Sequence, residues 1–285
     1  MFFSYFDVFL ALGMLFFLKS PYKSCLSAGR REFLDHKEDK RIPLAGGWLI
    51  FFSFLLKNNF SIFHILLFSF GLIGMVDDFI KIHKKGAFKI KYRLLLEFLA
   101  SFVFIYFSLN NGGFIRFESF YFLNYLWGAL VIISSANAFN LTDGVDGLAG
   151  FLGIFSCLFI YLVTGSFVSS ALIGSLLLFL IFNFPFAKIY LGDLGSLSVG
   201  AVLGGLFLYY GLEFWYLLVG FMFVLETLSA IIQIFSIRMF NKKVFLMSPL
   251  HHHFELKGYS SLYITLAFAL LSCVCLAFSL TLYYK

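Results

Sequence analysis

The chain has 285 residues, of which 61% are hydrophobic and 13% are charged. Together with a mean hydropathy of +0.94, this composition leaves too little polar surface to cover a soluble globule of that length, which excludes a water-soluble domain. The net charge of +6 suits anionic lipid headgroups or a phosphate-bearing substrate.

Ten apolar runs follow one another, and each predicts a transmembrane helix because about 20 apolar residues span a hydrocarbon core of about 30 Å. The first run has no basic residue before it and no cleavage pattern after it, so we expect a retained span rather than a signal peptide. No linker or repeat divides the runs, which predicts a single transmembrane domain, 1–285. The runs are residues 2–18, 44–56, 60–76, 94–109, 121–139, 147–164, 167–184, 195–211, 214–236 and 260–283.

Basic residues are distributed unevenly over the connections between these runs. Of the 21 lysines and arginines, 18 fall in the odd-numbered connections, and the exceptions are Lys57, Arg116 and Lys285. The positive-inside rule therefore places the odd connections in the cytoplasm and both termini in the periplasm. The sequence predicts an all-α integral membrane protein with ten transmembrane helices and five cytoplasmic loops.

The connection between runs 4 and 5 contains Asn110, Asn111, Gly112 and Gly113 between strand-like stretches. Asparagine and glycine tolerate the positive φ angles that a tight turn requires. The sequence predicts a small periplasmic β-hairpin here.

Run 3 ends in Asp77 and Asp78, with Lys81 on the same helical face. Adjacent carboxylates at a membrane edge repel each other and lose hydration, a cost that a cation or a raised pKa relieves. The pair is either a charged helix end or part of a metal-phosphate or proton-transfer site.

The connection between runs 5 and 6 has no lysine or arginine but carries Asn140, Asp143 and Asp146, and glycine follows each acid. These residues offer oxygen ligands and backbone N–H groups at tight turns. A turn that caps the next helix is the simpler alternative.

The connection between runs 7 and 8 carries Asn183, Tyr190 and Asp193, the last within Gly-Asp-x-Gly-Ser. A carboxylate at a turn entering a helix suits Mg²⁺ beside a phosphate, and a tyrosine offers a flat face for a base. An N-cap aspartate is the alternative.

The connection between runs 9 and 10 contains His251, His252 and His253, followed by Phe254 and Glu255. Three consecutive residues rarely converge on one zinc ion, so we interpret the histidines as donors for phosphate. Carboxylates for a divalent cation and basic groups for phosphates, all on one predicted face, indicate phosphoryl transfer.

At these residues the chain resembles the polyprenyl-phosphate N-acetylhexosamine-1-phosphate transferases (glycosyltransferase family 4). Five segments match in order, at residues 43–47, 77–81, 140–147, 192–196 and 251–255. The uninterrupted His-His-His-Phe-Glu resembles the phospho-N-acetylmuramoyl-pentapeptide transferases, whereas the N-acetylglucosamine-phosphate members interrupt this cluster. Ile42 and Leu44 depart from the family pattern, which usually has threonine there.

The resemblance implies a bacterial cytoplasmic (inner) membrane enzyme of peptidoglycan synthesis with Mg²⁺ as cofactor. Its substrates would be UDP-N-acetylmuramoyl-pentapeptide and undecaprenyl phosphate, and its products a lipid-linked sugar pyrophosphate and UMP. Membrane lipid would surround it, no nucleic acid partner is expected, and a homodimer is compatible with this interpretation.

The resemblance also implies roles for individual residues. Asp77, Asp78, Asp193 and His251 would be catalytic, with Asp193 the metal ligand. Substrate would be bound by Lys81, Arg93, Asn140, Asp143, Asp146, Asn183, Tyr190, His252 and His253.

Two alternatives remain open at this stage. A cation-coupled transporter would need essential acids near the middle of the bilayer, where only Glu97 and Glu226 fall. We interpret Glu226 as a satisfied interhelical residue. The other alternative is a hexosamine-phosphate transferase of the same superfamily with a different sugar nucleotide.

Overall fold

The protein is described by a computed structural model that covers residues 5–19, 27–28, 42–57, 61–84 and 88–285. Over these ranges the regular secondary structure is α-helical apart from one pair of very short strands. The elements are α1 (Tyr5–Lys19), β1 (Ser27–Ala28), β2 (Ile42–Pro43), α2 (Gly46–Lys57), α3 (Phe63–Lys84), α4 (Ile90–Asn110), α5 (Tyr121–Thr142), α6 (Leu148–Thr164), α7 (Phe167–Asn183), α8 (Gly192–Tyr209), α9 (Glu213–Val219), α10 (Phe221–Phe240), α11 (Leu250–Leu256) and α12 (Ser261–Tyr283).

Every predicted apolar run contains a helix, and the ninth run is divided at Gly220 into α9 and α10. Five helices, α4, α5, α8, α10 and α12, are long and apolar enough to cross a membrane. Large apolar side chains such as Phe235, Leu270 and Val274 are exposed on them, as contact with lipid requires. The all-α membrane class is confirmed, while ten spans and the side of each terminus stay predictions.

Helix α8 is the centre of the bundle, and α2, α3 and α5 pack around it. All of its residues from Leu194 to Leu208 are buried. Several are glycine, serine or alanine, which allow the backbones of neighbouring helices to approach closely. A Cβ atom on Gly200, for example, would lie 2.7 Å from the Cα of Ala136 in α5.

The predicted hairpin between α4 and α5 is wrong, because residues 111–120, all described, contain a turn but no strand. Their backbone groups find other partners. The Phe114 N–H donates to the Tyr209 carbonyl at 2.9 Å, and the Arg116 and Phe117 N–H groups donate to Asn124 Oδ1 at 2.9 and 3.0 Å. A single buried asparagine thus replaces the strand pairing that the pattern suggested.

A short antiparallel pairing that the sequence analysis did not predict lies before α2, where Ala28 faces Ile42 and Ser27 faces Pro43. Most of the first connection, with its basic residues from Lys23 to Arg41, lies outside the described residues, as do residues 2–4 of the first apolar run.

We expect Gly200→Ala to destabilise the protein by about 1–3 kcal/mol, because the new methyl group meets the α5 backbone and overpacks the core. Gly13→Ala is the matched control, since a Cβ at Gly13 meets nothing within 4 Å. Thermal unfolding in detergent should show a lower Tm for the first variant and an unchanged or higher Tm for the second. Equal Tm values would contradict the close α5–α8 approach.

Candidate active site at the amino-terminal end of α8

The loop that enters α8 is held by the amino-terminal end of α2. The Gly46 and Gly47 N–H groups donate to the carbonyls of Tyr190 and Leu191, each at 2.9 Å, and the Tyr190 N–H donates to the Pro43 carbonyl, also at 2.9 Å. The first-connection motif therefore positions the loop that precedes Asp193. Main-chain atoms make all three bonds, so the bonds do not require the hydroxyl groups that Ile42 and Leu44 lack.

Asp78 of α3 caps α8 across the interface between the two helices. Its Oδ1 and Oδ2 accept hydrogen bonds from the Asp193 and Leu194 N–H groups, both at 3.1 Å. These N–H groups have no partner within their own helix, and a carboxylate there also interacts favourably with the helix dipole. The close approach requires Gly74, because a Cβ on it would lie 2.1 Å from the Asp193 carbonyl oxygen. Asp78 thus fixes the turn that carries Asp193.

Asp77 and Asp193 lie on either side of Lys81. The Lys81 Nζ is 3.2 Å from Asp77 Oδ2 and 2.7 Å from Asp193 Oδ2. The Asp77 and Asp193 side chains are only 3% and 14% exposed, and Asp77 Oδ1 also accepts from the Phe88 N–H at 2.7 Å. Lys81 thus lies between two poorly hydrated carboxylates, and its opposite charge favours their ionised forms.

Arg93 of α4 is the second cation of the cluster. Its Nη1 lies 3.6 Å from Asp77 Oδ2 and 3.9 Å from Asp193 Oδ2. The four side chains together carry two negative and two positive charges when ionised. They form a compact, balanced group that exposes Lys81 most, with 36% of its side chain accessible.

Glu97 and Asn137, which the sequence analysis did not place in the site, bind the side of Arg93 that faces away from the cluster. Arg93 Nε donates to Glu97 Oε1 at 3.0 Å, and Arg93 Nη2 donates to Asn137 Oδ1 of α5. Asn137 Nδ2 in turn donates to Glu97 Oε2 at 2.9 Å. The i,i+4 spacing of Arg93 and Glu97 was the available signal for the first contact, whereas the contact with Asn137 depends on helix packing.

Asn183 and Asp146 tie the α5–α6 and α7–α8 connections together. Asn183 Oδ1 accepts from the Gly147 N–H at 2.6 Å, and its Nδ2 donates to the Ile189 carbonyl at 2.9 Å. Asp146 Oδ2 accepts from the Ala187 N–H at 3.1 Å. These contacts support the loops around the site, so both residues have a structural task besides any contact with substrate.

Asn140, Asp143 and Tyr190 border the same region. Asn140 Nδ2 donates to Ser196 Oγ at 3.0 Å, which joins α5 to α8 within a turn of Asp193. Asp143 is the residue after α5, and Asp143 and Tyr190 are both half-buried. The structure brings all three near the entrance of α8, and their contact with a nucleotide stays a prediction.

His251 is fully buried and paired with Glu226 of α10. Its Nδ1 lies 3.0 Å from Glu226 Oε2, and its backbone N–H donates to Glu226 Oε1 at 3.1 Å. The interpretation of Glu226 as a satisfied interhelical residue is therefore confirmed. The Nε2 atom of His251 has no hydrogen-bond partner among the described residues and lies against Gly144, where a Cβ would be 2.1 Å away. This nitrogen thus faces the α5–α6 connection.

His252 and His253 turn to partners within their own segment. His252 Nδ1 is 2.6 Å from Glu255 Oε2, and His253 Nδ1 accepts from the Leu246 N–H at 3.1 Å. Burial, and then the charge of Lys257, lower the pKa of His253, which favours the neutral ring that accepts at Nδ1. The histidines do not converge, and no group of three or more His, Cys, Asp or Glu poised for a metal occurs within the described ranges.

Comparisons with known proteins extend this picture. A family model described as glycosyl transferase family 4 matches residues 60–211. A phospho-N-acetylmuramoyl-pentapeptide-transferase from Petrotoga mobilis is 38% identical over 262 residues, 84% of this chain and 83% of that protein. Proteins of the same name are 43% identical in Kosmotoga olearia, covering 72% and 69% of the two chains, and 36% identical in Wolbachia sp. subsp. Drosophila simulans, covering 92% and 89%.

These matches and the apolar helices define the protein as a membrane transferase, which sets aside the transporter alternative. The chain belongs to glycosyl transferase family 4.

We expect Asp78→Ala to lower the free energy of unfolding by about 1–3 kcal/mol, because it leaves buried N–H groups of α8 unpaired. Glu118→Ala is the control, since Glu118 is an exposed acid outside the cluster. Thermal unfolding of both purified variants checks this expectation. A Tm loss in Glu118→Ala as large as in Asp78→Ala would argue against the capping role.

Proposed function

We propose that the protein transfers phospho-N-acetylmuramoyl-pentapeptide from UDP-N-acetylmuramoyl-pentapeptide to undecaprenyl phosphate, releasing UMP, in peptidoglycan synthesis. The observation that carries the proposal is the cluster of Asp77, Lys81, Arg93 and Asp193 at the entrance of α8. It joins carboxylates for a divalent cation to two cations for phosphates, which is what phosphoryl transfer requires. The names of the relatives support the choice of substrates.

The donor set of the cluster fits Mg²⁺. This ion takes oxygen ligands and is usually held by one or two carboxylates together with substrate phosphates and water. Asp193 would hold it, because its carboxylate already lies 2.7 Å from a cation, the Lys81 ammonium. Bound Mg²⁺ would supply charge neutralisation on the diphosphate.

The protein's own groups suggest how the reaction runs. An oxygen of undecaprenyl phosphate attacks the β-phosphorus of the sugar nucleotide, and the bond from that phosphorus to the oxygen that bridges to the α-phosphorus breaks, so that UMP leaves. Lys81 and Arg93 face the negative charge that develops on the phosphates. Asp77 orients or deprotonates the lipid phosphate, because the carboxylate of Asp78 is already engaged by α8.

The predicted topology supports a site at the cytoplasmic face of the bacterial inner membrane, because the connections that border the site are the odd-numbered ones, which carry 18 of the 21 basic residues. A soluble nucleotide arrives there from the cytoplasm, and a lipid phosphate arrives along the bilayer. Asn140, Asp143, Asp146, Asn183 and Tyr190 would surround the nucleotide, and the histidines of α11 would approach the diphosphate or the sugar.

Purified protein with Mg²⁺ and undecaprenyl phosphate should release UMP from UDP-N-acetylmuramoyl-pentapeptide and not from UDP-N-acetylglucosamine. Asp193→Asn should lower kcat at least about 100-fold, because Mg²⁺ would lose its carboxylate ligand and the charge that develops on the phosphates would be less well neutralised. Removal of Mg²⁺ with EDTA should stop UMP release, and an excess of added Mg²⁺ should restore it. Release with UDP-N-acetylglucosamine alone would refute the substrate assignment.

Direct attack predicts that UMP forms only when the lipid phosphate is present. A covalent aspartyl-phosphate is the competing mechanism, since carboxylates serve as nucleophiles in other phosphoryl transfers. Incubation with the nucleotide and Mg²⁺ alone, followed by intact-protein mass spectrometry, distinguishes the two. A stoichiometric burst of UMP with a phospho-sugar adduct on the protein would overturn direct attack.

A further inference from the structure

Glu97 is a fully buried carboxylate in the body of α4. It lies next to the cluster of Asp77, Lys81, Arg93 and Asp193 but is not part of it. A buried charge destabilises a protein unless partners satisfy it, and apolar residues of similar size often stabilise a protein equally well. The partners of the Glu97 carboxylate are Arg93 and Asn137.

Three hydrogen bonds among Arg93, Glu97 and Asn137 form a closed triangle. Glu97 Oε1 receives the Arg93 Nε–H at 3.0 Å, Glu97 Oε2 receives the Asn137 Nδ2–H at 2.9 Å, and Asn137 Oδ1 receives the Arg93 Nη2–H. Asn137 Nδ2 also donates to the Ile133 carbonyl at 2.9 Å, so the partners on both sides fix the orientation of the asparagine amide.

The triangle occupies the Nε–Nη2 edge of the Arg93 guanidinium, and Nη1 lies on the opposite side. Its Nη1 points to the cluster, 3.6 Å from Asp77 Oδ2 and 3.9 Å from Asp193 Oδ2. Because the guanidinium is a rigid planar fork, fixing one edge fixes the direction of the opposite one. A lysine ammonium at this position would lack that property.

We propose that Glu97 and Asn137 are positioning residues that hold the Arg93 guanidinium edge-on to the diphosphate of the sugar nucleotide. This inference rests on the proposed function, because it assigns Arg93 to the phosphates of that reaction. Glu97 and Asn137 themselves touch neither substrate nor metal.

A second buried arginine–glutamate pair provides a comparison within the same chain. Arg116 Nε donates to Glu213 Oε1 at 2.7 Å, and Trp127 Nε1 donates to the same atom at 3.3 Å. Glu213 is buried like Glu97. It lies at the start of α9, beyond the carboxy-terminal end of α8, and does not contact the four-residue cluster. It is therefore a matched control for the loss of a buried charge.

The decisive test exchanges the charge within the triangle. Glu97→Gln places an amide N–H₂ group opposite the Asn137 N–H₂ group, so one hydrogen bond is lost. In the double variant Glu97→Gln with Asn137→Asp, the new glutamine donates to the new aspartate and still accepts from Arg93 Nε, while the aspartate accepts from Arg93 Nη2. The negative charge and the three hydrogen bonds of the triangle are restored. The double variant still lacks the hydrogen bond that Asn137 Nδ2 donates to the Ile133 carbonyl at 2.9 Å, so we expect a partial recovery.

We expect kcat for UMP release to fall about 10- to 100-fold in Glu97→Gln, since a small misplacement of a phosphate-binding group costs that much, and to recover at least half of the lost factor in the double variant. In an Arg93→Ala background, Glu97→Gln should have no further effect on kcat. Glu213→Gln should lower Tm but leave kcat within about twofold, because it is remote from the cluster.

The stabilisation of each protein by Mg²⁺ and pyrophosphate, read as a shift in Tm, is measured in parallel. Wild-type protein that releases no UMP would contradict the proposed function. The shift in Tm caused by Mg²⁺ and pyrophosphate would then test the triangle alone. This shift should shrink in Glu97→Gln and return in the double variant. Three results would overturn the inference. In Glu97→Gln, kcat and the shift in Tm with pyrophosphate would both be unchanged, or Glu213→Gln would lose as much kcat as Glu97→Gln. The third is a further loss of kcat when Glu97→Gln is added to Arg93→Ala.

Discussion

The amino-terminal end of α8 packs against α2 and α3, and its first backbone N–H groups have no partner within their own helix. Asp78 accepts two of these hydrogen bonds, and the loop before the helix is bonded to α2. Buried N–H groups without acceptors would cost about 1–3 kcal/mol each. The position of Asp193, one residue into this helix, follows from that constraint, and so does the convergence of α3 and α8 that brings Asp77 close to it.

The charged side chains around Asp193 balance one another. Asp77 and Asp193 approach each other closely enough to need cations, and Lys81 and Arg93 provide them. A site that is balanced in this way can exchange a lysine or arginine contact for a divalent cation and phosphates with little change in total charge. Behind the cluster, Glu97 and Asn137 accept hydrogen bonds from Arg93.

The sequence predicted the helical runs well, because their length and hydropathy are local properties. It also selected Asp77, Lys81, Arg93 and Asp193, which the structure brings together. It could not predict that the neighbouring Asp78 turns to the backbone of α8, or that Asn137 reaches Arg93, because these contacts depend on how separate helices pack. The β-hairpin between α4 and α5 was wrong for a similar reason, since the buried side chain of Asn124 takes the backbone donors that strand pairing would have used.

A structure of the protein determined by electron cryo-microscopy with Mg²⁺ and the sugar nucleotide would test the central claim most directly. The account predicts the metal against Asp193, the diphosphate between Lys81 and Arg93, and the Asp78 carboxylate still bonded to the first turn of α8. A diphosphate bound away from the entrance of α8, with Lys81 still paired to both carboxylates, would contradict it.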